Sequence, residues 1–115
     1  ATLERGRLGL QQLLDRDKSL GQPGGVIFCS SDLLAHGILI EAQARGLGVP
    51  GQIAVIGFGD QDFAGHTEPS LTTVRVDRTA LGFSAAEAIL SRLGEGNTTA
   101  PVTDLGFEII RRRSA

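Results

Sequence analysis

Apolar residues recur along this chain of 115 residues with two periods, one typical of helices and the other of buried strands. Leucines that share one helical face predict a helix over Thr2–Asp17, with Thr2 as its cap. A second helix is predicted over Asp32–Arg45, which Gly46 ends, and a third over Asp77–Leu93. Glycines and prolines between these segments predict the turns that separate them.

Short apolar runs between the helices predict strands at Val26–Cys29, Ile53–Gly57, Leu71–Val76 and Val102–Arg112. The first run is apolar throughout, which is typical of a strand buried on both faces in a parallel sheet. The order helix, strand, helix, strand, strand, helix, strand predicts an α/β layered domain with a mainly parallel sheet.

Composition is ordinary for one soluble domain, with 41% apolar and 21% charged residues. The net charge of −2 gives no basic surface for nucleic acid, and Arg111–Arg113 is interpreted as a solvated tail. No apolar run approaches the roughly 18 residues of a membrane span. Cys29 is the only cysteine, so neither a disulfide nor a cysteine zinc site is expected.

Polar residues follow three of the predicted strands. In open α/β sheets, ligands bind outside the carboxyl ends of the strands. This rule selects Ser30–Asp32, Phe58–Asp60 and Val76–Arg78, whose hydroxyls, carboxylates, aromatic ring and guanidinium suit a polyhydroxylated ligand. Asp32 and Asp77 are also well placed to cap their helices, and Ser31 is open to either a capping or a ligand-donor role. Phe58 is also suited to the core, and Asp60 to bracing its loop.

The second helix carries two apolar faces rather than one. The first consists of Leu33, Gly37, Ile40 and Ala44, and the second of Leu34, Ala35, Ile38, Leu39 and Ala42. Two faces require two partners, so either another segment of the chain or another subunit covers the second one.

Catalytic chemistry finds little support in the sequence. His36 and His66 have no partners at the spacing of a catalytic triad, and Gly57–Gly59 is only a fragment of a glycine-rich nucleotide motif. We therefore expect no enzyme, no cofactor and no metal site.

Four motifs in order resemble those of the lactose/galactose repressor family of transcription regulators. They are Val26–Asp32 with Ala35 and Gly37, Gly46–Phe58, Pro69–Val74, and the closing Arg112–Ser114. The resemblance extends from Gly6 to the end of the chain. It implies a periplasmic-binding-protein-like lobe, a mainly parallel sheet with helices on both faces.

The family's architecture implies more protein than this chain contains. Such regulators have an N-terminal helix-turn-helix and a two-lobed core that closes on an effector. Residues 1–115 resemble the C-terminal subdomain with its terminal strand, so the helix-turn-helix and most of the N-terminal lobe are absent. The expected protein is a cytoplasmic homodimer that contacts operator DNA only through the missing domain.

The resemblance also implies roles for individual positions. The implied effector contacts are Ser31, Asp32, Phe58, Gly59, Asp60 and Arg78. The family's dimer interface uses the helix at Asp32–Arg45 and the loop at Phe63–Glu68. The implied interface residues are Leu34, Ala35, Ile38, Leu39, Ala42 and Phe63.

Two departures from the family pattern bear on the effector. Gly59 stands where the family has a ligand-binding aspartate, and Arg78 replaces an aromatic or polar residue. The loss of a carboxylate and the gain of an arginine favour an anionic effector. The sequences at Cys29–Asp32 and Gly57–Asp60 also resemble those of the gluconate-repressor branch. The alternative is the sugar-binding component of an ABC transporter, which a signal sequence in the full gene would indicate.

Overall fold

The computed structural model describes residues 1–95 and 105–115, and these form two compact units. The first unit comprises Ala1–Arg75 and Ile109–Ala115, and the second Val76–Glu108. The first unit contains the parallel strands and two helices, and it is where most of the candidate residues lie.

Helix α1 (Leu3–Arg16) begins as the sequence predicts, because the Thr2 hydroxyl accepts a hydrogen bond from the Arg5 amide at 3.0 Å. Helix α2 (Asp32–Ala44) ends before Gly46, whose φ of 72° is a conformation that glycine adopts at little cost. The bounds of both helices agree with the prediction to within one residue at each end.

The sheet contains β1 (Gly25–Phe28), β2 (Ile53–Phe58), β3 (Thr72–Arg75) and β4 (Glu108–Ile110), in that spatial order. β1 pairs with β2 and β2 with β3, both in parallel. Val102–Arg112 was predicted as one strand. Only Glu108–Ile110 is a strand, and residues 102–104 lie outside the described part of the chain.

The core of the first unit lies between the sheet and α2. Its buried apolar side chains are Leu10, Ile27, Cys29, Ala35, Ile38, Leu39, Ala42, Ile53, Val55, Ala64 and Leu71. On β1, only Ile27 is buried, whereas Val26 and Phe28 are 59% and 61% exposed. The prediction that this strand is buried on both faces is therefore wrong, because α2 covers only one face.

α1 and α2 approach each other closely where two glycines meet. A Cβ atom at Gly37 would lie 2.9 Å from the Cα atom of Gly6, so neither position has room for a side chain. Beside this contact, the Glu41 carboxylate accepts hydrogen bonds from Arg7, Gln11 and Arg45 at 2.9–3.2 Å. These hydrogen bonds lower the pKa of Glu41, that from Arg45 most.

The second unit contains helix α3 (Arg78–Glu95). The carboxylate of Asp77 accepts a hydrogen bond from the Ala80 amide at 3.0 Å, so Asp77 has the capping role considered from the sequence. No helix in the described ranges combines the length and hydropathy needed to span a bilayer.

Candidate functional site

The carboxyl ends of β1, β2 and β3 lie at one edge of the sheet, since all three strands run in parallel. The register places Phe28 opposite Ile56 and Phe58 opposite Val74. Ser31 lies three residues after Phe28, and Gly59 lies three residues after Ile56. The structure therefore brings the segments after β1 and β2 together, as the strand-end rule predicts.

Ser31 caps α2. Its backbone is extended and its hydroxyl accepts a hydrogen bond from the Leu34 amide at 3.2 Å. Capping was considered for Asp32, and the structure assigns it to the preceding residue. A hydroxyl that accepts from a helix amide still has its own proton, so Ser31 retains the ability to donate a hydrogen bond to a ligand.

Asp32 is fully buried, and both of its carboxylate oxygens are bonded within the chain. Oδ1 accepts a hydrogen bond from the Thr73 hydroxyl and Oδ2 from the Gln61 amide, each at 2.6 Å. A carboxylate without exposed surface cannot touch an effector in this conformation. The structure therefore corrects the expectation for Asp32, which ties the start of α2 to β3 and to the loop after β2.

Gly57 makes this arrangement possible. A Cβ atom there would collide with the Asp32 carboxylate and would lie 3.0 Å from the Leu71 side chain. Only glycine at position 57 leaves room beside β2 for the buried carboxylate of Asp32.

Phe58 at the end of β2 is exposed, and Gly59 after it is partly exposed. The Phe58 ring is 40% exposed, so it offers an apolar face rather than joining the core. Gly59 adopts a φ of 119°, and its amide donates to the carbonyl of Val74 at 2.8 Å. Glycine is the residue suited to this φ, which accounts for its place in the turn.

Asp60 braces the loop, as the sequence analysis considered. Its carboxylate is ion-paired with Arg75 at 2.8 Å and with Arg112 at 2.9 Å. Burial tends to raise the pKa of Asp60, but the hydrogen bonds from Arg75 and Arg112 outweigh it, and the pKa lies below its usual value. With both oxygens occupied, Asp60 is better suited to hold the loop than to bind a sugar hydroxyl.

Arg78 is exposed in the first turn of α3, within the second unit. Its assignment to the effector stays a prediction.

The implied interface residues on α2 fall into two groups. Ala35, Ile38, Leu39 and Ala42 are at most 5% exposed and form part of the core. They present no surface to another subunit, which corrects the prediction for these four residues. Leu34 is half-buried against the core, and Phe63 keeps partial exposure.

Phe63 has a partner that the sequence reasoning missed. Its ring stacks on His36, with 5.3 Å between ring centroids and an interplanar angle of 28°. His36 lies one turn before Ile40, so both belong to the same side of α2. The sequence signal for this side was the first apolar face, which also contains Ile40.

Metal-ligating side chains and Cys29 are further candidates for chemistry among residues 1–95 and 105–115. No group of three or more metal-ligating side chains is found there. Burial, together with the nearby charge of Asp32, raises the pKa of Cys29 to about 11, so its thiol stays protonated at neutral pH.

This arrangement defines a class of protein: an α/β lobe whose parallel sheet carries accessible polar and aromatic groups at its carboxyl edge. A family model for periplasmic binding protein-like domains matches residues 2–115, and the chain belongs to that family.

Curated relatives and solved structures that the chain matches include transcription regulators. The chain is 43% identical over 93 residues to the HTH-type transcriptional regulator GntR of Pseudomonas aeruginosa, covering 81% of this chain and 27% of that protein. Among solved structures, GntR of Chromobacterium violaceum has a TM-score of 0.81 at 35% identity, covering 99% of this chain and 41% of that one. The transcriptional regulator CelR in complex with cellobiose has a TM-score of 0.85 at 31% identity, covering 99% and 34%.

The chain thus spans between about a quarter and two fifths of the length of these relatives. All three are named as transcription regulators, and one of them is described in complex with cellobiose.

Proposed function

We propose that this chain is the C-terminal effector-binding lobe of a DNA-binding transcription repressor, and that the helix-turn-helix and most of the N-terminal lobe lie outside it. The observation that carries this proposal is the accessible edge formed by Ser31, Phe58 and Gly59, in a chain whose relatives are transcription regulators. The names of those relatives favour a regulator over a transporter component. Such a regulator would act in the cytoplasm, where its operator DNA is.

The effector in this proposal is a sugar or a sugar acid such as gluconate. A donor hydroxyl on Ser31 and the exposed ring of Phe58 suit the hydroxyls and C–H faces of a carbohydrate. Asp60 is neutralised by two arginines, and Gly59 brings no carboxylate, so this edge adds little repulsion toward an anion. Arg78 would supply the positive partner of an effector carboxylate.

The mechanism is a shift between conformations. An effector that binds between the two lobes favours the closed arrangement by the difference in its affinity for the two states. Through the dimer, that preference changes the spacing of the DNA-binding domains and hence operator affinity. This lobe would contribute one side of the cleft and part of the dimer contact.

We place the dimer contact on the accessible side of α2. Leu33, His36 and Ile40 follow one another at helical spacing and are all partly exposed. Ile40 also lines a groove of about 300 Å³ together with Leu3 and Leu8 of α1. A second copy would cover this side, whereas the opposite side of α2 is already buried in the core.

The test is calorimetric titration of the complete regulator with gluconate, other aldonates, their phosphates and neutral hexoses. We expect saturable binding of an acid and a loss of at least about tenfold in affinity for Arg78→Ala, the size expected for one charged hydrogen bond. Arg92→Ala, an exposed arginine near the other end of α3, is the matched control and should leave the affinity unchanged.

If the complete protein bound only neutral sugars, the proposal of a regulator would stand and the proposal of an acidic effector would be rejected. An absence of operator binding by the complete protein would reject the regulator itself.

A further inference from the structure

The last residues of the chain are anchored inside the first unit rather than trailing from it. Ser114 is fully buried, and its hydroxyl accepts a hydrogen bond from the Thr72 amide while donating to the carbonyl of Val55. The Val55 amide in turn donates to the carbonyl of Ser114 at 2.9 Å. The closing segment is therefore fixed to β2 and β3 by buried hydrogen bonds.

Arg112 lies in this fixed segment, and its side chain contacts both ends of the loop between β2 and β3. Its Nη2 donates to Oδ1 of Asp60 at 2.9 Å, and its Nη1 donates to the carbonyl of Leu71 at 2.9 Å. Between these ends, the loop passes close to the same guanidinium at Gly65. A Cβ atom added at Gly65 would lie 3.7 Å from Nε of Arg112. One planar side chain thus contacts the beginning, the middle and the end of the loop.

The beginning of this loop requires such support. Asp60 has a φ of 51°, a left-handed conformation that costs a non-glycine residue about 1 kcal/mol. Its two arginine partners differ in exposure, with Arg112 at 20% and Arg75 at 49%. The ion pair with Arg112 is the more buried of the two, so solvent screens it less.

We propose that Arg112 is a positioning residue for effector binding. It holds Asp60, and through the left-handed turn it sets where the Phe58 ring and the Gly59 backbone meet the effector. This inference rests on the proposed function, since it assumes that Phe58 and Gly59 form part of the effector site. It gives a functional role to the closing Arg-x-Ser motif, in which Arg112 lies 52 residues after Asp60 and 41 residues after Leu71.

The experiment compares Arg112→Gln, Arg112→Lys and Arg113→Gln in the complete regulator. Arg113 is the matched control, because its side chain is 74% exposed and its ion pair with Glu68 is long, at 3.7 Å. Two quantities are measured well below the unfolding temperature: the exchange rates of the Gly59 and Gln61 amides, and the dissociation constant for the sugar acid that the wild type binds most tightly.

We expect Arg112→Gln to accelerate exchange at both amides and to raise the dissociation constant about tenfold, as for the loss of a charged hydrogen bond. Arg112→Lys should fall between Arg112→Gln and the wild type, because an ammonium group cannot bridge Asp60 and the Leu71 carbonyl with the fixed fork of a guanidinium. Arg113→Gln should match the wild type in both quantities.

Unchanged amide exchange in Arg112→Gln would overturn the proposal, whatever the effector is. Faster exchange with an unchanged dissociation constant would also overturn it, since Arg112 would then only stabilise the loop. If the wild type binds none of the sugar acids, the acidic effector of the proposed function fails. The same comparison is then made with whichever neutral sugar binds.

Discussion

At the scale of single residues, the two aspartates of the candidate edge form hydrogen bonds and ion pairs within the chain, and their neighbours are the residues available to a ligand. Asp32 is bonded to Thr73 and Gln61, and Asp60 to Arg75 and Arg112. Rigid supporting contacts of this kind keep the neighbouring ligand-contacting groups in place. Ser31, Phe58 and Gly59 each lie within two residues of one of these aspartates.

The buried carboxylate of Asp32 accepts two hydrogen bonds that link α2 to β3 and to the loop after β2. Asp32→Ala leaves the Thr73 hydroxyl and the Gln61 amide without their charged acceptor. We expect the free energy of unfolding of the domain to fall by about 3 kcal/mol. Urea denaturation measures this, with Asp62→Ala as control, because Asp62 is an exposed aspartate in the loop after β2, next to Gln61. Equal stabilities of the two variants would contradict the role given to Asp32.

Sequence reasoning located both aspartates and considered loop bracing for Asp60, but it did not identify the residues that they bind. The strand-end rule selects Asp32 and Asp60 because each follows a predicted strand. Their partners are 41 residues away for Thr73 and 52 for Arg112, and no local pattern connects such distant positions. Capping shows the same limitation at short range, since either Ser31 or Asp32 could cap α2 and only the backbone geometry distinguishes them.

At the scale of elements, α1 and α2 form a helix pair whose spacing is set by Gly6 and Gly37. An added Cβ atom at Gly6 would collide with the carbonyl oxygen of Leu34. Glu41 links the same two helices through Arg7 and Gln11. Since α2 carries Ser31 at its start, the packing of this pair helps to fix one side of the candidate edge.

Two alanine substitutions in one helix separate packing from helix propensity. Gly6→Ala should lower the free energy of unfolding by about 2 kcal/mol, because the backbones of the helix pair must move apart. Gly9→Ala should raise it by up to about 1 kcal/mol, because nothing lies within 4 Å of an added Cβ atom and alanine favours the helix. Urea denaturation of the two variants should therefore give shifts of opposite sign. A stabilising Gly6→Ala would show that the helices are not in contact there.

The elements themselves are largely predictable from the sequence. Local signals set the start of α1 at the Thr2 cap and the end of α2 before Gly46, and the structure has both. The burial of α2 is different, because two apolar faces on one helix do not identify what covers each of them. The structure buries the face with Ala35 and Ile38 against the sheet, where subunit contact was expected.

At the scale of the whole molecule, the question is which surface is available to a second copy. Burial of the second apolar face of α2 leaves the side with His36 and Ile40, next to the leucines of α1. Leu3 and Leu8 are 38% and 45% exposed, and the stacked pair of His36 and Phe63 is also partly exposed. Apolar and aromatic side chains that cluster in this way are typical of the core of a protein interface.

Phe63→Ser therefore tests the proposed dimer. We expect the complete regulator to dissociate into monomers at concentrations where the wild type is dimeric, because the variant removes the ring that stacks on His36 and thereby a large part of the apolar contact. Sedimentation velocity over a concentration series measures the change. Phe83→Ser, which alters an exposed phenylalanine of α3, should leave the dimer intact. Loss of the dimer should also weaken operator binding, since two linked DNA-binding domains bind more tightly than one. If the Phe63→Ser protein remained dimeric, the interface would have to lie elsewhere. That result would not bear on the proposal that the lobe binds an effector.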